Sequence, residues 1–309
     1  MKFFLFWFFN ISVLFSQVEI KVTNKRTAEK FGEKTLIEYK VVSNNEVFSS
    51  FEKEFDYDIP TPQVKIIKQR KLLLVNSFAV SLELLDLSGN VLKSIALSPK
   101  NVEYERSIFS AVNDENILAA VNETSEYSHQ FFMLDSSLNV LSKSDIQTGL
   151  LSGIACDNAS KSIFASVVFA NENEIRKVIN VFDFDFKYKS SFAGSFNFSS
   201  LSNDNHKILL YDNSNYCLYD MLSNELLFQN EEKEYKILSA KFVDNSIALL
   251  KYKQAELVNS KWIYLNPEVY LLSADGNVKT KIEISSKQIS KYGWNNNKLT
   301  LDNEVITLE

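Results

Sequence analysis

The chain has 309 residues, of which 45% are hydrophobic and 13% aromatic, and its formal net charge is −6. A hydrophobic fraction of this size is enough for a buried core and excludes a chain that is disordered along its whole length. The acidic balance argues against nucleic acid as a partner, because binding its phosphates requires a basic face. The four arginines are scattered, so the sequence indicates no arginine cluster for phosphate recognition.

The first 16 residues have the order of a secretory signal peptide. Lys2 precedes a nearly unbroken apolar run, Phe3 to Phe15, and the small Ser16 precedes the polar sequence that follows. The run is shorter than the roughly 20 apolar residues that span a bilayer, and the alternative is a buried N-terminal strand. We therefore predict an exported protein in the periplasm, at the cell surface or in the medium, with residues 17–309 as a single mature domain that does not span the membrane.

Export would permit disulfides, and the chain contains two cysteines, Cys156 and Cys217. They fall in different repeats and in strand-like segments. Two buried thiols are therefore favoured over a bridge between them, although the sequence leaves the bridge open.

A strand–turn–strand unit recurs along the rest of the chain. Its copies cover residues 35–51, 71–97, 115–146, 161–192, 206–228 and 245–284. In each copy an apolar strand ends at a turn-forming residue, and these residues are Ser43, Asp86, Asp135, Asp183, Asp220 and Ser273. Their average spacing of about 46 residues matches one four-stranded blade of a β-propeller.

The turn residues have a local physical role. An aspartate carboxylate can accept hydrogen bonds from the backbone two residues further on and so close the turn. Gly89 and Gly276 supply the positive φ that tight hairpins require.

Each blade also needs an innermost strand. The candidates are segments rich in small or β-branched residues, at 106–112, 150–156, 196–201, 236–243 and 289–294. Two short strands in 298–309 remain at the C-terminus, so we expect the N- and C-terminal strands to close the ring in one shared blade. The predicted fold is an all-β propeller of six blades, with seven blades or a pair of β-sandwiches as alternatives, and Thr27–Lys34 is predicted to be a loop.

The unit resembles that of the six-bladed propellers of the NHL and TolB-like group, which occur in exported bacterial proteins. The resemblance covers residues 35–309 and rests on the strand pattern. The Trp-Asp pair of WD repeats and the S-x-D-x-G-x-x-W box of sialidases are absent, and SADGNV (273–278) comes nearest to the latter.

No catalytic or metal motif stands out, and we predict neither a metal nor a cofactor. The two histidines, His129 and His206, have no second ligand at metal-binding spacing, and no G-x-S-x-G elbow occurs. Asp183 and Asp185 could join a calcium site, but solvated turn acids fit this position better. Paired carboxylates of the glycosidase kind cannot be recognised among 39 acidic residues.

In a propeller, the loops that join the second strand to the third and the loops that join consecutive blades lie on one face. Loops on a rigid scaffold commonly bind partners. This face would present Tyr104, Arg106, Asn122, Glu123, Tyr127, Asn171 and Glu172. Its longest loop, 253–267, adds Trp262 and Tyr264, which could form a platform for a sugar or an anchor for a protein, or could extend a strand and pack.

Taken together, these features favour a non-catalytic exported propeller that binds a partner protein, as a subunit of an outer-membrane or cell-surface complex. A carbohydrate-binding or carbohydrate-active propeller is the alternative. Clustered carboxylates at the channel mouth would indicate an enzyme, whereas aromatic and amide side chains without them would indicate a binding module. A scaffold constrained only by folding is the third hypothesis.

Overall fold

The structure is a computed structural model, and the residues that it describes consist of strands, turns and connecting segments. They are 18–29, 32–43, 46–55, 62–67, 71–76, 79–97, 106–112, 116–157, 159–170, 174–202, 206–258, 261–295, 297–302 and 304–308. The predicted signal peptide, 1–16, lies outside them. No helix occurs in the described part of the chain, so an apolar helix that could span a membrane is not found there either.

Seven antiparallel sheets, which we call blades 1 to 7, follow one another along the described chain. The first four contain β1 (Val18–Glu29), β2 (Gly32–Ser43) and β3 (Glu46–Phe55) in blade 1; β4 (Gln63–Ile67), β5 (Lys71–Asn76), β6 (Ser81–Leu85) and β7 (Val91–Ala96) in blade 2; β8 (Arg106–Val112), β9 (Asn116–Glu123), β10 (Ser128–Asp135), β11 (Val140–Lys143) and β12 (Gln147–Thr148) in blade 3; and β13 (Leu150–Asp157), β14 (Ser162–Ala170), β15 (Ile175–Asp183) and β16 (Tyr188–Ala193) in blade 4.

Three further blades follow, and a separate small sheet is inserted among their strands. They comprise β17 (Phe198–Leu201), β18 (Lys207–Tyr211), β19 (Asn215–Asp220) and β20 (Glu225–Glu231) in blade 5; β21 (Lys236–Val243), β22 (Ser246–Tyr252), β25 (Glu268–Leu272) and β26 (Val278–Ile282) in blade 6; and β28 (Tyr292–Asn295), β29 (Lys298–Leu301) and β30 (Glu304–Thr307) in blade 7. A separate three-stranded sheet, the hairpin sheet, consists of β23 (Gln254–Val258), β24 (Lys261–Leu265) and β27 (Gln288–Ile289).

One hydrophobic cluster lies between each pair of consecutive blades. Side chains alternate across a strand, so a strand in the middle of a blade contributes to both neighbouring clusters. In β14, Ile163 and Ala165 pack towards blade 3, whereas Phe164 packs towards blade 5. This face-to-face stacking of meander sheets is the arrangement of a β-propeller, and it excludes the alternative of two β-sandwiches.

The aspartate turns form as predicted. The carboxylates of Asp86, Asp135 and Asp183 each accept a hydrogen bond from the backbone N–H two residues on, at 2.8, 2.8 and 2.9 Å. Gly89 and Gly276 both have a φ of 83°.

Two of these turns hold a large residue in the left-handed region. Leu138 has a φ of 59° and Phe186 a φ of 62°. Leu138 is buried between blades 2 and 3, and the ring of Phe186 stacks on Phe131 at a centroid distance of 5.9 Å. The packing of both side chains offsets the backbone strain.

The chain ends differ from the prediction of a shared closing blade. The strands β1 to β3 pair with one another, and β28 to β30 form another sheet, so the described residues contain seven blades, the alternative count, and not six. The segment Thr27–Lys34, predicted as a loop, contributes residues to both β1 and β2, which pair continuously from Val18↔Ser43 to Glu29↔Gly32. A long local hairpin forms without the loop-closure cost of joining the two ends of the chain.

Candidate functional site

The loops that join the second and third strands and the connections between blades share one side of the propeller, which we call the upper face. Among the predicted site residues, Glu123 ends β9 and Tyr127 lies in the following turn, where its hydroxyl donates to the carbonyl of Val168 at 3.3 Å. Arg106 begins β8. Tyr104, Asn171 and Glu172 lie outside the described residues, so their predicted roles stay predictions.

Asn122 is buried and connects two blades. Its side-chain nitrogen donates to the carbonyl of Leu151 at 2.9 Å, and its side-chain oxygen accepts from the N–H of Leu151 at 2.9 Å. The amide thereby satisfies a backbone donor and acceptor of blade 4 from blade 3. With both polar groups engaged, it has a structural role that its sequence context did not indicate.

The longest predicted loop, 253–267, is a β-hairpin that rises from blade 6 between β22 and β25. Its strands β23 and β24 pair along their whole length, and β24 also pairs with β27 in the connection to blade 7. The N–H of Asn266 donates to the carbonyl of Lys287 at 2.8 Å. The base of the hairpin is therefore fixed on two sides.

One surface of the hairpin carries an exposed apolar pair. Leu257 and Trp262 lie directly opposite each other across the two strands, and they are 62% and 54% exposed. Tyr264, two residues after Trp262, shares this surface but packs against the cluster between blades 6 and 7. Both alternatives considered for these aromatic residues therefore occur on one strand: Tyr264 packs at the base of the hairpin, and Trp262 is exposed at its tip.

Tyrosines from three neighbouring blades gather beside this hairpin. The rings of Tyr252 and Tyr264 meet edge to face at 5.0 Å. Burial raises the pKa of Tyr292, and the phenols of Tyr264, Tyr211 and Tyr252 raise it further because they lie close by. Tyr211 in turn stacks on Phe198 at 5.4 Å. We call Phe198, Tyr211, Tyr252, Tyr264 and Tyr292 the tyrosine cluster.

The cluster combines rigid and accessible rings. Tyr211 is 8% exposed, whereas Phe198 and Tyr292 are 52% and 41% exposed. Sequence reasoning missed Leu257, Tyr292 and Phe198, since each is an isolated apolar residue until the fold brings it to the upper face. The place of Leu257 opposite Trp262 could have been found by treating 253–267 as a hairpin.

The titratable groups of the described chain form no metal centre. No group of three or more His, Cys, Asp or Glu side chains there is arranged to hold a metal ion. The carboxylate of Asp183 accepts from the N–H groups of Asp185 and Lys187, as a turn acid does.

His129 is a buried strand residue, the second residue of β10 in blade 3. Its Nδ1 lies 2.8 Å from the carbonyl of Gly149, and its Nε2 is buried without a hydrogen-bond partner in the described chain. Burial lowers the pKa of His129, so the ring is neutral at neutral pH in the folded protein.

The two cysteines are buried thiols, as predicted, and do not form a disulfide. Burial raises the pKa of Cys217 to about 12, which keeps this thiol protonated at neutral pH. A protonated, buried thiol is a packing group and a poor nucleophile.

Solved structures share the shape of this chain at low sequence identity. The C-terminal WD40 domain of Sif2 matches with a TM-score of 0.57 and 12% identity, covering 94% of this chain and 82% of that one. The Dos1 propeller matches with a TM-score of 0.56 and 14% identity over 89% and 73% of the two chains. BamB from Moraxella catarrhalis matches with a TM-score of 0.50 and 11% identity over 91% and 82%.

These likenesses, together with the seven stacked meander sheets, define the fold as a β-propeller. Structural matches at such low sequence identity establish the fold but not the subgroup of propellers. The resemblance to the NHL and TolB-like group therefore stays a prediction. No protein-family model matches the chain, and no curated protein is significantly similar to it in sequence.

Proposed function

We propose that this protein is a non-catalytic, exported β-propeller that binds a partner protein through the hairpin sheet on its upper face, as a subunit of an outer-membrane or cell-surface complex. The observation that carries the proposal is the exposed pair of Leu257 and Trp262 on a hairpin with a fixed base. Export is supported by the signal-peptide pattern of residues 1–16.

The exposed pair has the physical properties of an interface anchor. A tryptophan brings a large apolar area with few rotatable bonds, so little conformational entropy is lost when a partner covers it. The opposite Leu257 extends that area across the strand pair. Tyr264 and the pairing with β27 hold the hairpin in position, which lowers the entropy cost of binding further.

A capture experiment tests the proposal. The tagged protein is purified from its native envelope in gentle detergent, and the proteins that co-elute are quantified by mass spectrometry. The double variant Leu257→Ala/Trp262→Ala should lose a stoichiometric partner that the unmodified protein retains, while both proteins unfold at similar temperatures.

The matched control removes exposed apolar groups from the opposite side of the propeller. Tyr188 and Leu222 lie at turns between third and fourth strands and are 60% and 68% exposed. Tyr188→Ala/Leu222→Ala should keep the partner. Equal capture by all three proteins, or no stoichiometric partner at all, would contradict the proposed interface.

The tyrosine cluster favours glycan binding as a second function. Aromatic rings held by packing, with exposed faces, suit stacking on sugar rings. On this alternative, Phe198→Ala/Tyr292→Ala should abolish binding on a glycan array, whereas Leu257→Ala/Trp262→Ala should leave glycan binding unchanged. The two sets of variants therefore separate the two functions.

A further inference from the structure

The innermost strands of blades 2 and 3 bring a lysine and a serine together near the propeller axis. Lys65 lies two residues before Ile67 in β4, and Ser110 lies two residues after Ile108 in β8. Ile67 and Ile108 both pack in the cluster between blades 2 and 3, so Lys65 and Ser110 face the same interface. The Nζ of Lys65 donates a hydrogen bond to the carbonyl of Ser110.

Among the described residues, this contact leaves several hydrogen-bond donors without acceptors. The Ser110 side chain is buried, with 9% of the residue exposed, and its hydroxyl has no partner in the described chain. A lysine ammonium has three N–H groups, of which one is used by the Ser110 carbonyl. Within the described residues, no ion pair or hydrogen bond joins Lys65 to a carboxylate.

The Lys65 side chain is half-buried, and its ammonium, which is partly removed from water, gains from a compensating negative charge because desolvating a charge is costly. Burial lowers the pKa of Lys65 to about 8, and the negative charge that Cys156 carries when ionised opposes this shift. The amine is therefore still largely protonated at neutral pH. A positive charge beside unpaired donors fits an anion.

We propose that Lys65 and Ser110 form a binding site for a small monoanion, chloride or a single carboxylate group, between the innermost strands of blades 2 and 3. The anion accepts hydrogen bonds from the free ammonium N–H groups and from the Ser110 hydroxyl. One ammonium balances one negative charge, so a dianion would bring an uncompensated charge into the interface. The site is independent of the hairpin sheet and of the partner proposed there.

Chloride-35 NMR line broadening in chloride-free buffer, with added sodium chloride as the probe, tests the site on the full propeller. The unmodified protein should show saturable excess broadening, and Lys65→Met, which keeps most of the length of the side chain without its charge, should abolish it. Lys241→Met is the matched control, because Lys241 also lies on an innermost strand and burial also lowers its pKa. It should broaden the signal as the unmodified protein does.

Ser110→Ala provides a second variant if Lys65→Met fails to fold. It removes a buried hydroxyl that has no partner within the described part of the chain, so it should fold and bind chloride roughly tenfold more weakly. Acetate as a competitor separates the two ligand sources: displacement of chloride by acetate at lower concentration indicates a carboxylate ligand, and weak displacement indicates the inorganic ion. Equal broadening in unmodified protein and both site variants, or no saturable broadening, would overturn the proposal.

Discussion

The interface between blades 4 and 5 and the hairpin sheet use aromatic residues in opposite ways. Between the blades, Phe164 and Phe196 are 0% exposed and pack with Tyr219. On the hairpin, Trp262 is more than half exposed although its neighbour Tyr264 is packed. An aromatic side chain in the blades contributes to stability, whereas the one at the hairpin tip is free to contribute to binding.

The largest expected effect comes from the blade side of this comparison. Phe164→Ala removes a fully buried ring that meets Tyr219 edge to face at 5.4 Å, and it should lower the free energy of unfolding by about 4 kcal/mol. Urea unfolding measures the change. The exposed Phe198 is the control, and Phe198→Ala should cost much less; similar losses in the two variants would show that burial does not separate these rings.

A smaller loss is expected at the polar connection between blades 3 and 4. Asn122→Ala leaves the N–H and carbonyl of Leu151 without their partners, which should cost about 2 kcal/mol. The exposed turn residue Asn277 serves for comparison, because Asn277→Ala affects groups that water can reach. A melting temperature of Asn122→Ala equal to that of Asn277→Ala would remove the structural role assigned to Asn122.

The free energy of unfolding should also depend on pH through His129. In the folded state the lowered pKa of His129 keeps its ring neutral, whereas the unfolded chain takes up a proton near the ordinary value of 6.5. The unfolded state therefore binds more protons below pH 6.5, and acidification should reduce the free energy of unfolding.

His129→Gln removes this contribution. Urea unfolding of both proteins between pH 7.5 and 5.5 should give a shallower pH dependence for the variant, and the carboxylates and His206 cancel because both proteins have them. Parallel pH profiles would mean that His129 titrates alike in the folded and unfolded chains.

The smallest stability change is expected at the hairpin tip. Trp262→Ala should alter the free energy of unfolding by less than about 0.5 kcal/mol, since the side chain is exposed and its strand remains paired. Tyr264→Ala should cost more, because its ring packs on Tyr252 and on the cluster between blades 6 and 7. A thermal melt that ranks Trp262→Ala as the more harmful change would contradict the division between tip and base.

Local features of this fold could be predicted from the sequence, and features set by distant contacts could not. The carboxylate of Asp135 closes its turn with groups a few residues away, so the sequence pattern suffices. The positive φ of Leu138 depends on a buried position against blade 2, which no local signal reveals. The polar stretch around Thr27 was wrongly predicted as a loop, because its pairing in β1 and β2 does not follow apolar alternation.

The candidate site shows the same division. Trp262 and Tyr264 could be chosen as exposed loop aromatics, and the structure keeps Trp262 exposed. Asn122 could not be distinguished from a surface amide, since its partner Leu151 lies 29 residues away. The pairing of Lys65 with Ser110 joins residues 45 positions apart, and a single lysine in an apolar strand gives no indication of such a partner.

The separate hydrophobic clusters between consecutive blades also bear on how such a sequence can diverge. A substitution in one cluster can be compensated by a second change in the same two sheets, without adjusting the rest of the molecule. The residues between one pair of blades can then change independently of the other pairs, while the shape of the propeller is kept. Sif2 and Dos1, whose solved structures share this fold at 12% and 14% identity, illustrate that one propeller shape can be built from very different residues.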